Sequence, residues 1–168
     1  IQGDAAYDVA GYSVSGAGDI NGDGFDDLIV SAKNGDDGGY SAGEAYVVFG
    51  TDQGFGAADG AGRQVIDLTG LAAAQGFIVQ GDTDEDQLGR SVHGAGDVNG
   101  DGYDDIIVGA DGGDDGGDRA GEAYVVFGGA GGFGSPDGDN RQVIDTTTLG
   151  ASQGFIIQGD HAVSQTGW

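Results

Sequence analysis

Two nine-residue segments hold the side chains best suited to chemistry: Asp19-Ile20-Asn21-Gly22-Asp23-Gly24-Phe25-Asp26-Asp27 and Asp97-Val98-Asn99-Gly100-Asp101-Gly102-Tyr103-Asp104-Asp105. Each puts oxygen side chains at positions 1, 3, 5 and 9 and Gly at position 6. That alternation turns Asp19, Asn21 and Asp23 toward one centre. Gly24 permits a sharp turn, the main-chain carbonyl of Phe25 points inward, and Asp27 closes the ring. Asp97, Asn99, Asp101, the Tyr103 carbonyl and Asp105 repeat the set. Neither segment contains Lys or Arg, and carboxylates this dense repel one another unless a cation joins them. With a water or a second carboxylate oxygen, each loop offers about six or seven hard oxygen ligands, the demand of Ca²⁺. Mg²⁺ prefers a tighter octahedron and keeps its waters, and zinc or copper wants nitrogen or sulfur. Two Ca²⁺ sites are therefore expected. An EF-hand would need an acid at position 12, where Val30 and Val108 stand inside strand-like runs.

The elements that position these loops follow from a repeat. Shifting the sequence by 78 residues lays Gly18-Asp19 on Gly96-Asp97 and Glu44-Ala45-Tyr46-Val47-Val48-Phe49 on Glu122 to Phe127, with about 51 of 78 positions identical. Arg63-Gln64-Val65-Ile66-Asp67 likewise falls on Arg141 to Asp145, and a third copy opens at Ile157 and reaches Trp168. Nothing repeats every nine residues, which excludes a toxin-type nonapeptide β-roll. Short β-branched and aromatic runs between Gly-rich stretches, with no sustained helical pattern, predict an all-β fold of four strands per repeat. The strands are expected at 11–16, 27–32, 44–49 and 76–80, then at 89–94, 105–110, 122–127 and 154–158, with residues 1–3 closing a preceding unit. Leu71 to Gln75 could form one helical turn, but Gly150 in its counterpart favours loop. A four-stranded meander of this size must stack on neighbours, and arrays of this kind need about three or more units.

Gly11-Tyr12-Ser13-Val14, the Asp-rich loop, Leu28-Ile29-Val30-Ser31-Ala32 and Glu44-Ala45-Tyr46-Val47-Val48 together resemble the FG-GAP repeat of integrin α-subunit β-propellers and bacterial surface proteins. The resemblance covers essentially the whole chain. It implies β-propeller-type four-stranded antiparallel blades, two in tandem plus the start of a third. The unit boundaries are then 1–10 for the end of a preceding unit, 11–88 and 89–166 for two blades, and 167–168 for the next. It also implies Ca²⁺ on Asp19, Asn21, Asp23, Phe25 and Asp27, and on Asp97, Asn99, Asp101, Tyr103 and Asp105. The Phe-Gly slot reads Ala10-Gly11, Leu88-Gly89 and Thr166-Gly167, and the Gly-Ala-Pro slot reads Ser31-Ala32-Lys33 and Gly109-Ala110-Asp111, departures that bear on packing between blades. The period exceeds that of an integrin blade, the extra residues lying in 51–62 and 129–140.

Composition narrows the partners. The chain has 168 residues, 29 acidic and five basic, a net charge of −24 and no Cys. That charge repels phosphate backbones and anionic lipid alike, and no apolar run approaches a membrane span, so neither nucleic acid nor membrane insertion is expected. Without Cys there is no disulfide, thiolate metal site or thiol nucleophile. A chain beginning at Ile1 without Met is expected to be a piece of a longer product. Asp82, Asp84, Glu85 and Asp86, matched in the first copy only by Asp4 and Asp8, read as solvated acids. Asp36-Asp37 and Asp114-Asp115 read as acids of Gly-rich turns and not as ligands. Ser91, His93 and Asp97 sit too close together on one strand and loop to make a hydrolase triad, and Ser15 replaces His93 in the first copy. His161 has no better claim. No Lys, Arg or His accompanies the clustered acids in both copies, so catalysis is not expected. The chain is read as a calcium-binding extracellular or cell-surface module, structural or adhesive, with a protein or cell-surface ligand as partner. Two alternatives stand beside this: head-to-tail self-association into a filament or ring, and a propeller serving an enzyme elsewhere in the parent chain.

Overall fold

A computed structural model describes residues 1–159. The expected start of a third unit at 167–168, and His161, lie outside the described residues. In each repeat the predicted meander forms: β1 (Val14–Gly18), β2 (Asp27–Ala32), β3 (Glu44–Val48) and, after an excursion, β6 (Gly76–Gln80) build blade 1. Blade 2 is built from β7 (Ser91–Gly96), β8 (Asp105–Ala110), β9 (Glu122–Val126) and β12 (Gly154–Gln158). All neighbours within a blade are antiparallel, in the sequence order of the meander. These are β-propeller-type blades. The second and fourth strands of each blade have the predicted limits. The first strand begins later and runs on to Gly18 or Gly96, because a bulge at Ala17 or Ala95 carries the pairing to the edge of the Asp-rich loop.

The excursions differ from expectation, since the extra residues are structured. Repeat 1 forms a short hairpin, β4 (Ala57–Ala58) and β5 (Gln64–Val65), and repeat 2 forms β10 (Ser135–Pro136) and β11 (Gln142–Asp145). β11 leaves its own repeat and adds in parallel to the outer edge of blade 1, pairing Val143 with Ile78, Ile144 with Val79 and Asp145 with Gln80. Blade 1 is therefore part of a six-stranded sheet, whereas blade 2 keeps four. A 3₁₀ turn follows each hairpin, at Leu68–Gly70 and Thr146–Thr148, capped by the carboxylates of Asp67 and Asp145.

Strand alternation decides which face each residue serves. Ile29, Ala45, Val47, Phe77 and Val79 point from blade 1 toward blade 2, which answers with Val92, Ile106, Val108, Tyr124 and Val126 to form the main core. Phe133, from the repeat 2 insert, stacks on Phe77 with centroids 4.3 Å apart. A second cluster, Ala32, Tyr46, Val48, Ile78, Leu68 and Leu71, fills the opposite face of blade 1. Leu88, in the departed Phe-Gly slot, is fully buried in the core between the blades, so this substitution keeps the packing.

Candidate metal centres

The two Asp-rich loops lie between the first and second strands of their blades, at the same end of the molecule. In loop 1, the carboxylate of Asp19 accepts the N–H groups of Asp23 and Gly24, the side-chain amide oxygen of Asn21 accepts the N–H of Asp23, and the carboxylate of Asp23 accepts the N–H of Phe25, all at 2.9–3.0 Å. Asp97, Asn99 and Asp101 make the same bonds to Asp101, Gly102 and Tyr103. Gly24 and Gly102 hold φ of 92° and 95°, the left-handed turn expected of position 6. These bonds gather the side chains at positions 1, 3 and 5 along one side of each turn. Phe25 and Tyr103 follow them.

Asp27 and Asp105 anchor the loops from below. Both are buried, and each spans the base of its loop: Asp27 accepts N–H from Ile20 at 3.0 Å and Gly50 at 2.7 Å, Asp105 from Val98 and Gly128, each at 2.8 Å. Burial raises the Asp27 carboxyl above its ordinary value, against the lowering effect of the two amides. The loops also touch one another. Asp104 accepts the N–H of Asp19 at 2.9 Å, and Gly129 donates to the carbonyl of Ile20 at 2.9 Å.

The tightest carboxylate groups among the described residues lie elsewhere. Asp4, Asp8 and Glu44 form one, and Asp82, Asp86 and Glu122 the other, with ligand oxygens within 4.8 Å of one another in each. Either group can hold a metal ion. This corrects the reading of Asp82 to Asp86 as solvated acids: Asp84 and Glu85 are exposed, but Asp86 is buried and Asp82 half-buried. The cause is the strand phase of Glu44 and Glu122. Alternation puts each on the same face as the Tyr two residues on, and each tyrosine hydroxyl donates to its glutamate, at 2.5 Å for Tyr46 and 2.6 Å for Tyr124. Tyr46 lies 2.7 Å from Asp4 and Tyr124 lies 3.2 Å from Asp82, tying the third carboxylate in. The Gly-rich turns before β3 and β9 close the far side, where Asp37 and Asp115 donate their backbone N–H groups to Glu44 and Glu122. A Cβ at Gly35 would lie 2.5 Å from the carboxyl carbon of Glu44, so a side chain there must push the buried carboxylate aside.

Burial pushes the Glu44 carboxyl up to about 7, against the stabilising bond from Tyr46. Asp86 is also pushed up to about 7, by burial first and then by Asp82, Asp114 and Glu122. Burial raises Asp8 too. The first group has a cation: the Arg141 guanidinium reaches Asp4 at 3.0 Å and Asp37 at 2.5 Å while bonding Asp137 at 2.7 Å. Arg141 joins the first group alone, a contact the sequence reading did not anticipate. Arg63 shares its position in the repeat, so the identical Arg-Gln-Val-Ile-Asp segments were the available signal. Even so, Asp4 Oδ1 is buried without a hydrogen-bond partner, the sole such side-chain atom among the described residues. The second group has no basic partner among the described residues.

Ser91, His93 and Asp97 lie exposed along β7 and its loop. Among the described residues no helix is long and apolar enough to cross a membrane. A family model described as the FG-GAP repeat matches residues 10–48 and 88–126, each match running from the start of a blade through its third strand. No curated protein matches the chain.

Proposed function

The chain belongs to the FG-GAP repeat family, and from that premise we propose that it is a calcium-stabilised β-propeller repeat module of the extracellular or cell-surface space, structural or adhesive and not catalytic. The observation that carries this reading is the duplicated loop. Two copies present an all-oxygen donor set, and Asp19, Asn21 and Asp23, like Asp97, Asn99 and Asp101, are already gathered on one turn by backbone amides. A hard divalent cation would take ligands from these three and from the carbonyl of Phe25 or Tyr103, with Asp27 and Asp105 at the base of each loop. The orphaned oxygen of Asp4 and the clustered strand acids add further places where a cation offsets repulsion. Modules of this kind are filled at the near-millimolar calcium found outside cells, at affinities of about 10⁻⁴ to 10⁻³ M. Protein surfaces, and not nucleic acid or lipid, are the partners compatible with a net charge of −24.

Thermal melts in calcium, in magnesium and in chelator test the reading, run on the wild type, on an Asp23→Ala, Asp101→Ala variant and on an Asp8→Asn, Asp86→Asn variant. A calcium-specific rise in melting temperature that the loop variant loses is the expected result. Loss in the strand-acid variant alone would move the ion to the strand clusters. Identical wild-type melts in calcium and chelator would overturn calcium stabilisation altogether.

A further inference from the structure

Asp4 carries a buried oxygen that no group among the described residues satisfies. Its side chain is 8% exposed, and its neighbours Asp8 and Glu44 are buried. Oδ2 is engaged by Tyr46 at 2.7 Å and by Arg141 at 3.0 Å, but Oδ1 has no hydrogen-bond partner. A carboxylate oxygen held out of water and unpaired is costly unless a cation meets it. Arg141 does not fill that place, since it bonds the other oxygen of Asp4 and shares its charge with Asp37 and Asp137. Nor does Tyr46. Its hydroxyl lies 2.5 Å from Glu44 Oε2 and 2.7 Å from Asp4 Oδ2, with one proton for the two.

The three carboxylates are set out as ligands. One oxygen from each lies within 4.8 Å of the others. Oxygens on opposite sides of a Ca²⁺ ion stand about 4.6–5.2 Å apart, twice the length of its bonds, so one ion can reach all three. The ligands are steadied from behind: Glu44 by Tyr46 and the N–H of Asp37, Asp4 by Tyr46 and Arg141. Asp8 sits between Tyr7 and Val9, whose φ of 78° and 63° is a left-handed backbone that β-branched and bulky residues avoid. Glu85 and Gln87 flank Asp86 in the same way, at 69° and 56°. Repeat 2 thus rebuilds the arrangement, with Asp82, Asp86 and Glu122 converging beside Tyr124, although Ala5-Ala6-Tyr7 has become Thr83-Asp84-Glu85 between the acids.

We propose that Asp4, Asp8 and Glu44 bind a divalent cation of calcium's size, a second kind of site separate from the Asp-rich loops, and that Asp82, Asp86 and Glu122 bind another. Asp4 supplies Oδ1, Asp8 and Glu44 supply one carboxylate oxygen each, and water completes the shell. A loop ion joins the first two strands of one blade, whereas this ion joins the segment entering a blade to that blade's third strand. In repeat 2 that segment is 81–90, the connection from β6 to β7, so the ion pins the link between the blades to β9. The site does not depend on the loops being filled.

Equilibrium dialysis with radioactive calcium, counting ions bound per chain, tests the proposal on the full chain. The proteins are the wild type, the loop variant Asp23→Ala, Asp101→Ala, the single variants Asp8→Asn and Asp86→Asn, and the pair of these two. The loop variant should still bind calcium. Each single variant should hold about one ion fewer than the wild type and the pair about two fewer. Exchanging Asp for Asn relieves repulsion among the acids, so melting temperatures in chelator at least equal to the wild type's serve as the folding control. Loss of all calcium in the loop variant, with the full count kept by the Asn variants, would overturn this proposal and leave calcium in the loops standing. Loss in the Asn variants with none in the loop variant would uphold it and overturn the loop sites. A wild type that binds no calcium would overturn both.

Discussion

The fourth strand and the acid cluster of this protein each occur twice, in different company. In blade 1, β6 is a central strand, with Phe77 under Phe133 and β11 along its edge, and Asp4 and Asp37 beside Glu44 are served by Arg141. In blade 2 the same strand is an edge, and Glu122, Asp82 and Asp86 have no guanidinium among the described residues. The difference teaches that neither a blade's edge nor its acid cluster is completed by its own repeat. Both are completed by the insert of the repeat that follows.

Arg141→Ala should break this contrast most severely. Removing one partner of a buried ion pair costs about 3–5 kcal/mol, so a denaturant titration should show a large loss, while Arg63→Ala leaves the dilute, monomeric chain unchanged. Phe77→Ala belongs near that level, at about 3–5 kcal/mol for a buried aromatic, and Phe155→Ala should cost far less. Equal losses at the two phenylalanines would mean that β12 is covered as well as β6. Gly35→Ala pushes a Cβ against the Glu44 carboxylate and should cost about 1–3 kcal/mol as an overpacked site, read by the same titration. A pH dependence is expected as well. Glu44 and Asp86 have ordinary values of 4.5 and 3.8 and are raised to about 7 in the fold, so between those values the folded chain holds protons that the unfolded chain has released. Stability in chelator should therefore fall as pH rises from about 4 to about 7. Asp86→Asn should flatten part of that slope, and calcium should flatten it if an ion sits among the strand acids.

Much of the blade architecture was legible because its signals are local. Leu28-Ile29-Val30 and Gly76-Phe77-Ile78 are short apolar runs bounded by Gly and Asp, and their limits emerged without error. The loops announced themselves by spacing within nine residues. The inserts did not, since Gln142 to Asp145 is a four-residue strand with no alternation to read, and its partner is a parallel strand in another repeat. The acid clusters were missed for a related reason. Asp82 and Asp86 look solvated beside their chain neighbours, and only the strand phase of Glu122 with Tyr124 shows that a buried carboxylate faces them. Arg63 and Arg141, unchanged between duplicates that differ at many surface positions, marked the insert as more than a spacer.

The parallel pairing of β11 on β6 also sets a timetable. Gln142 follows Gln80 by 62 residues, so as the chain emerges in order, blade 1 waits with Phe77 and an unpaired backbone uncovered until most of blade 2 has been made. Such an exposed edge is where chains growing side by side stick to one another. A tandem array built on this plan would carry one unfinished edge along with its growing end, closing each behind it as the next insert arrives.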